Sequence, residues 1–234
     1  EITTHTLDVA WEHKSWRHFT GSIGTQATAQ RNTTDRGGLI PDYNSQTAGV
    51  FWIERWRKYP FPLEFEAGLR YDVRYMDIEN RGNDVIDKQL NFNNLSGTFG
   101  AIYKASEHFD VRLHWGSAWR APNVNELFSD GVHHGSASYE IGREDLVPER
   151  AFSTNLTFDF DNERNFAANL SLYRNIVQDF IYLRPLEQPV LTIRGAFPSF
   201  AYDQTNARLT GLDWNAEWKP APIFAVTSGA SMLR

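Results

Sequence analysis

The stretch Leu63–Tyr75 reads LEFEAGLRYDVRY, and its alternation decides the fold. Its odd positions Leu63, Phe65, Ala67, Leu69, Tyr71, Val73 and Tyr75 are apolar or aromatic, whereas Glu64, Glu66, Gly68, Arg70, Asp72 and Arg74 fall between them. Successive side chains of a β-strand point to opposite faces, so this is a strand with one greasy and one wet side. FDVRLHWGSAWR, 109–120, repeats the pattern. Phe109, Val111, Leu113, Trp115 and Trp119 share one face, and Asp110, Arg112, His114 and Arg120 the other. FSTNLTFDF, 152–160, sets Phe152, Leu156, Phe158 and Phe160 against Ser153, Asn155 and Asp159. No segment of useful length carries the helical period. The chain is expected to be all-β.

Working outward, strands are expected near 2–13, 15–31, 45–58, 62–80, 88–105, 108–120, 149–161, 165–184, 201–219 and 222–234. The connections alternate in length. HKS (13–15), YPFP (59–62), SEH (106–108), DNERN (161–165) and KPAP (219–222) are short. The stretches 32–46, 81–87, 118–135 and 185–200 are longer and polar. Such alternation puts all tight turns at one end of an antiparallel up-and-down meander and all long loops at the other. Outer-membrane barrels show this asymmetry, with short periplasmic turns and long extracellular loops, whereas Greek-key sandwiches have no reason to sort their loops. Several strands also run well past the ~5–6 residues usual in globular sheets. Aromatics gather beside the short turns, where an interfacial girdle belongs: Trp52, Trp56, Tyr59 and Phe61; Phe158, Phe160 and Phe166; Trp214, Trp218 and Phe224.

Composition agrees. A net charge of -6 and the absence of a Lys/Arg run exclude a nucleic-acid partner. With no Cys there is no disulfide framework and no thiolate metal site. No apolar run approaches the ~18 residues of a transmembrane helix. The chain starts in mid-pattern. If 13–15 is periplasmic, the first strand descends and the tenth ascends and ends outside, so these strands are expected to be part of a larger wall with incomplete C-terminal strands.

SAWRAPNVNELFSDGVHHGSASYEIGREDLVPERAFSTNLTFDF, 117–160, resembles the corresponding stretch of TonB-dependent outer-membrane receptors. In that family a strand ends in an Arg-Ala-Pro motif, followed by an Asn/Glu-Leu-Phe/Tyr element. A loop then closes with Gly-Asn-x-x-Leu-x-Pro-Glu. The matching residues are Arg120, Ala121 and Pro122, then Asn125, Glu126, Leu127 and Phe128, then Gly142, Leu146, Pro148 and Glu149. Arg143-Glu144 departs from the pattern. NARLTGLDWNAEWKP, 206–220, is similar to the family's Asn-x-x-x-x-Gly-x-Glu strand, with Asp213 in place of Glu.

The resemblance implies that 1–234 is a portion of a 22-stranded barrel in the bacterial outer membrane, lacking the N-terminal plug. It implies import of a scarce ligand, an iron-siderophore or haem, driven by the inner-membrane TonB complex through that absent plug. Expected partners are outer-membrane lipid and the small-molecule ligand; no intrinsic cofactor and no enzymatic activity are expected. A soluble all-β binding module and a passive pore are the alternatives.

The motif residues read as structural. Pro122 removes a ladder donor and stops the strand. Arg120 lies on the polar face and is expected to pair with a carboxylate of the loop or plug. Leu127 and Phe128 anchor the loop, and Glu149 opens the next strand. Ligand contacts are expected in the long loops, at His133, His134, Tyr139, Phe197, Phe200 and Tyr202. Imidazoles ligate transition metals and haem iron. No nearby His…Glu spacing completes a metal set, however, and a solvated loop pair is the ordinary reading of His133-His134. Adjacent His residues would need a turn to act on one ligand.

Overall fold

The computed structural model describes residues 1–34, 38–81 and 84–234. Of the long connections expected at 32–46 and 81–87, residues 35–37 and 82–83 lie outside that description. The long strands are β1 (Ile2–Glu12), β2 (Phe19–Asn32), β3 (Tyr43–Arg57), β4 (Leu63–Arg81), β5 (Asp84–Ser106) and β6 (Phe109–Arg120). Past the loop that follows β6 come β9 (Glu149–Asp161), β10 (Phe166–Pro185), β13 (Ser199–Ala221) and β14 (Phe224–Leu233). Each pairs antiparallel with the next in chain order. Among the described residues β1 pairs only with β2 and β14 only with β13, so the sheet is open.

The register sorts side chains as the alternation requires. Trp11 stands opposite Ile23, Ile23 opposite Trp52, and Trp52 opposite Leu69, a row crossing four strands on one face. That row is exposed, as are Leu7, Val50, Tyr71, Leu95, Leu113 and Trp115. An apolar surface continuous over this many strands faces lipid rather than water. The opposite face carries ion pairs: Arg55 with Glu66 at 2.5 Å, Arg57 with Glu64 at 3.0 Å, Arg112 with Asp159 at 3.3 Å. Near the short turns the aromatic girdle is packed, with Trp56 edge-on to Phe61 at 5.6 Å and Phe160 against Phe166 at 5.9 Å. Among the described residues no helix is long and apolar enough to cross a membrane, which says nothing of strands.

One short connection differs from expectation. β2 starts at Phe19 rather than near 15, because Arg17 and His18 take positive φ of 47° and 75° and fold the chain into a turn closed by reciprocal Trp16–Phe19 backbone bonds.

β5 and β13 have 23 residues each, well beyond the ~9–11 tilted residues that cross a bilayer. Their lower parts meet the short turns, so their upper ends, including 199–206 of β13, rise outside the membrane. The core is there. Met76, Ile78, Val124, Leu127, Phe128, Leu146 and Ile181 form one buried cluster. Met76 and Ile78 lie on the even, polar-side face of β4, so the loop after β6 folds over the lumenal side of the wall. That loop is more ordered than its broken alternation suggested. It contains α1 (Val124–Phe128) and the strands β7 (Asp130–His133) and β8 (Ser138–Ile141). β8 joins β13 in parallel, with Tyr139 opposite Ser199 and Ile141 opposite Ala201. The last long loop holds a separate hairpin, β11 (Val190–Thr192) and β12 (Gly195–Phe197).

Leu127, 1% exposed, is the most buried side chain that the loop contributes to this cluster. Leu127→Ala is expected to weaken loop docking by about 2–5 kcal/mol, the usual cost of such a truncation. Amide hydrogen exchange checks it: protection should fall across 121–148 and stay unchanged across 63–75.

Candidate functional site

The outer mouth is organised around Arg120, the last residue of β6. Its Nη1 donates to both Glu126 carboxylate oxygens, at 2.9 and 2.7 Å, and its Nε donates to Glu149 Oε2 at 2.8 Å. Both carboxylates are committed further. Glu126 Oε2 accepts the Asn123 backbone N–H at 2.7 Å, capping α1, and Glu149 Oε1 accepts the Ile181 N–H of β10 at 2.6 Å. One guanidinium therefore joins the end of β6, the helix of the loop, the start of β9 and the top of β10. Arg suits this place because its planar fork binds two carboxylates at once. Ala121 and Pro122 are buried behind it, and the ladder stops at Arg120.

The closing motif is set by close approach. A Cβ on Gly142 would stand 2.6 Å from backbone atoms of Leu127 and Phe128, so only glycine lets the returning chain lie against α1. Its N–H donates to Ser129 O at 2.6 Å. Arg143, which departs from the family pattern, donates to Asp145 at 2.6 Å and to Asp203 of β13 at 2.5 Å. The hydrogen bond from Arg143 holds the Asp145 carboxyl below the usual range. Lys88 of β5 pairs with Glu144. Val147 exchanges both backbone groups with the Gln204 amide, at 3.0 and 2.8 Å. Pro148 is half-buried between this clamp and Glu149.

Of the residues expected to meet a ligand, His133 and Tyr202 share one network. Asn125 Nδ2 donates to the Tyr202 hydroxyl at 3.1 Å, and that hydroxyl donates to Glu140 Oε2 at 3.3 Å. Glu140 Oε1 faces His133 Nδ1 at 2.7 Å. The carboxylate only accepts, so Nδ1 is the donor of this contact, and in the neutral ring the lone pair is on Nε2. The Glu140 side chain is 7% exposed and that of His133 52% exposed, which places a buried orienter behind an open imidazole. Burial, then the charge of Glu140, push the Tyr202 phenol up to about 12.

His134 takes another direction. It follows β7 into the hairpin turn, and its Nε2 faces Arg194 Nη1 at 3.2 Å. Guanidinium only donates, so this Nε2 is an occupied acceptor. The turn therefore separates the two imidazoles rather than aiming them at one point. Tyr139 donates to Asp130 at 2.7 Å, Phe197 ends the separate hairpin at β12, and half-buried Phe200 stands opposite Glu140 in the parallel pair. Sequence reasoning did not find Glu140, Arg143, Arg194 or Asp203: Glu140 meets His133 across the short β7–β8 hairpin that the broken alternation did not reveal, and the Arg143–Asp203 and Arg194–His134 pairs join segments 60 residues apart. Among the described residues no three His, Asp or Glu side chains gather as a metal set.

With this geometry in view, the chain was compared with known proteins. A family model described as TonB dependent receptor-like, beta-barrel matches residues 3–232. The heme/hemopexin utilization protein C of Haemophilus influenzae (strain 86-028NP) is 24% identical over 94% of this chain and 32% of that protein. Its counterpart in strain ATCC 51907 / DSM 11121 / KW20 / Rd is 26% identical over 80% of this chain and 28% of its own length. The chain thus spans about a third of these curated relatives. Among solved structures, the copper transporter OprC matches with a TM-score of 0.76 and 17% identity, over 99% of this chain and 38% of that one. The Serratia marcescens hemophore receptor HasR, solved with HasA and heme, matches with a TM-score of 0.75 and 17% identity, over 100% and 41%. At these identities the structural matches establish the fold.

The raised phenol makes a pH prediction. The folded protein holds the Tyr202 proton more tightly than the unfolded chain, so this contribution is complete below the ordinary value of about 10. It is lost as pH rises through about 12. The difference in phenolate absorbance between the parent and Tyr202→Phe should show one tyrosine ionising near 12. Ionisation near the ordinary value would mean that Tyr202 is not held against Glu140.

Proposed function

The chain belongs to the TonB-dependent receptor β-barrel family, outer-membrane proteins of receptor and transporter type rather than enzymes, and from that premise we propose that it forms the wall and outer mouth of a haem importer. The observation that carries the ligand is the His133–Glu140 pair. A carboxylate on Nδ1 fixes the tautomer, orients the ring and raises the basicity of Nε2, the arrangement found behind metal-ligating histidines. Haem iron takes such an axial nitrogen. His133 rather than His134 is the ligand in this reading, since Arg194 occupies His134 Nε2. The names of the curated relatives, heme/hemopexin utilization proteins, support the same choice.

The clamped loop supports an importer over a passive pore. A chain segment fixed across the lumenal side by Arg120, Arg143 and Gln204 narrows the mouth and presents its histidine at a defined place. Energy from the TonB complex would act through a plug inside the barrel. An iron-siderophore is the second ligand class; the half-buried Phe200 and Tyr202 offer it aromatic surface at the same mouth.

The test uses the whole receptor in detergent with haem, iron-siderophores and cobalamin, read by tryptophan quenching and, for haem, by its main absorption band. Haem is expected to saturate. His133→Ala and Glu140→Gln should each weaken it by about 10–100-fold, the usual effect of losing a ligand's carboxylate partner; His134→Ala should do less. Tight binding of a siderophore with none of haem would reject the haem reading and keep the importer. Saturation by none of the panel would reject both.

A further inference from the structure

A second polar site lies at the other end of the wall, on its lipid side. In the β1–β3 register, Glu54 belongs to the same outward row as Val50, Trp52 and Trp56, and is the one acid among them. Its carboxylate crosses β2 above Gly21, where a Cβ would stand 2.9 Å from Glu54 Oε2 and 2.2 Å from Ile53 O; glycine is needed for that approach. His13, at the end of β1, meets it with Nε2 at 3.0 and 3.3 Å from the two oxygens, and its Nδ1 faces Lys14 O at 2.8 Å. Both ring nitrogens therefore face acceptors, and the pair reads as imidazolium with carboxylate. The side chains are 24% and 16% exposed.

Around this pair lies a cavity of about 470 Å³ walled by Trp16, Phe19, Trp52, Trp56 and Phe65, with Glu66, itself paired to Arg55, also at its edge. Beside this wall the Arg17 guanidinium lies 5.0 Å from the Trp16 ring, and Lys14 follows His13 in the same turn. The cavity opens toward lipid beside a short turn, at the depth of the periplasmic-leaflet headgroups. A carboxylate floor within aromatic walls is the form that holds an ammonium ion. The Arg17 guanidinium beside Trp16 is the cation nearest to hand for a phosphate. Since the His13–Glu54 pair is neutral as a whole, the complement is a zwitterion rather than a net anion. Carboxylate oxygens have lone pairs left after His13, and a primary ammonium has N–H groups to fill them, whereas a quaternary one has none.

We propose that the His13–Glu54 cavity binds the headgroup of a periplasmic-leaflet phospholipid of the ethanolamine class, with its ammonium against Glu54 and the Trp faces and its phosphate at Lys14 and Arg17. The site does not depend on which ligand the receptor imports.

The experiment reconstitutes the whole receptor with phosphatidylethanolamine, phosphatidylcholine or phosphatidylglycerol of the same acyl chains, and reads retained lipid by native mass spectrometry. Ethanolamine lipid should be retained about tenfold over the other two, the scale of one charge-assisted hydrogen bond with cation–π contact. Glu54→Gln should abolish that preference, and Glu144→Gln, on the outer loop, should leave it. An arm on the unaltered protein uses N-acetylated phosphatidylethanolamine, whose nitrogen bears no charge; it should be retained no better than phosphatidylglycerol. Equal retention of the three headgroups, an unchanged preference in Glu54→Gln, or full retention of the N-acetylated lipid would each overturn the proposal.

Discussion

Hydrocarbon offers no partner to a peptide N–H or C=O, and a chain that crosses it as strands must satisfy every backbone group through its neighbours. The long uninterrupted ladders of this wall answer that demand. β4 alone is paired along its length to β3 on one side and β5 on the other. The ladder fixes the register, and the register fixes which side chains meet lipid. A one-residue slip would turn Arg70, Asp72 and Arg74 outward and Leu69, Tyr71 and Val73 inward, so the pattern and the ladder enforce each other.

Outside the bilayer the constraint relaxes, and a different economy takes over. Strands continue without lipid on one side, and a core forms on the lumenal side instead, from Met76 and Ile78 of β4 and the apolar face of α1. The helix has five residues and no propensity argument of its own. It persists because Arg120 neutralises Glu126, because Glu126 caps its first turn, and because Leu127 and Phe128 are buried. A family motif spread over thirty residues thus resolves into one clasp and one close backbone approach at Gly142.

The two polar sites on this wall use the same device for different surroundings. At the mouth, Glu140 sits buried behind a half-exposed His133; at the inner end, Glu54 sits against His13 on the lipid side. In the first, Glu140 engages one imidazole nitrogen, and the other is the one assigned to the ligand in the haem proposal. In the second, both nitrogens are engaged and the aromatic rings around the pair supply the recognising surface. The same two residue types thus stand in different surroundings, the His133 side chain 52% exposed at the mouth and His13 24% exposed among aromatic rings at the other end.

How much of this was legible beforehand follows from range. A period of two is a local property, and it located the wall closely: β4 runs Leu63–Arg81 and β10 Phe166–Pro185, within about two residues of the strands read from alternation. The lipid face and the sorting of short and long connections were legible for the same reason. Glu54 also left a signal, as an acid in an outward row, although it meant nothing until His13 was seen beside it. α1 was too short to show a helical period. The parallel pairing of β8 with β13 and the Arg143–Asp203 pair join segments brought together by a loop crossing the sheet, and the Glu140–His133 contact depends on a β7–β8 hairpin too short to show an alternation. By itself the sequence determined the strands, their faces and the family motif, because each depends on neighbours along the chain or across one ladder. Only the tertiary structure decided where the loop docks and which partner each loop histidine faces, because those outcomes depend on distances that no local pattern encodes.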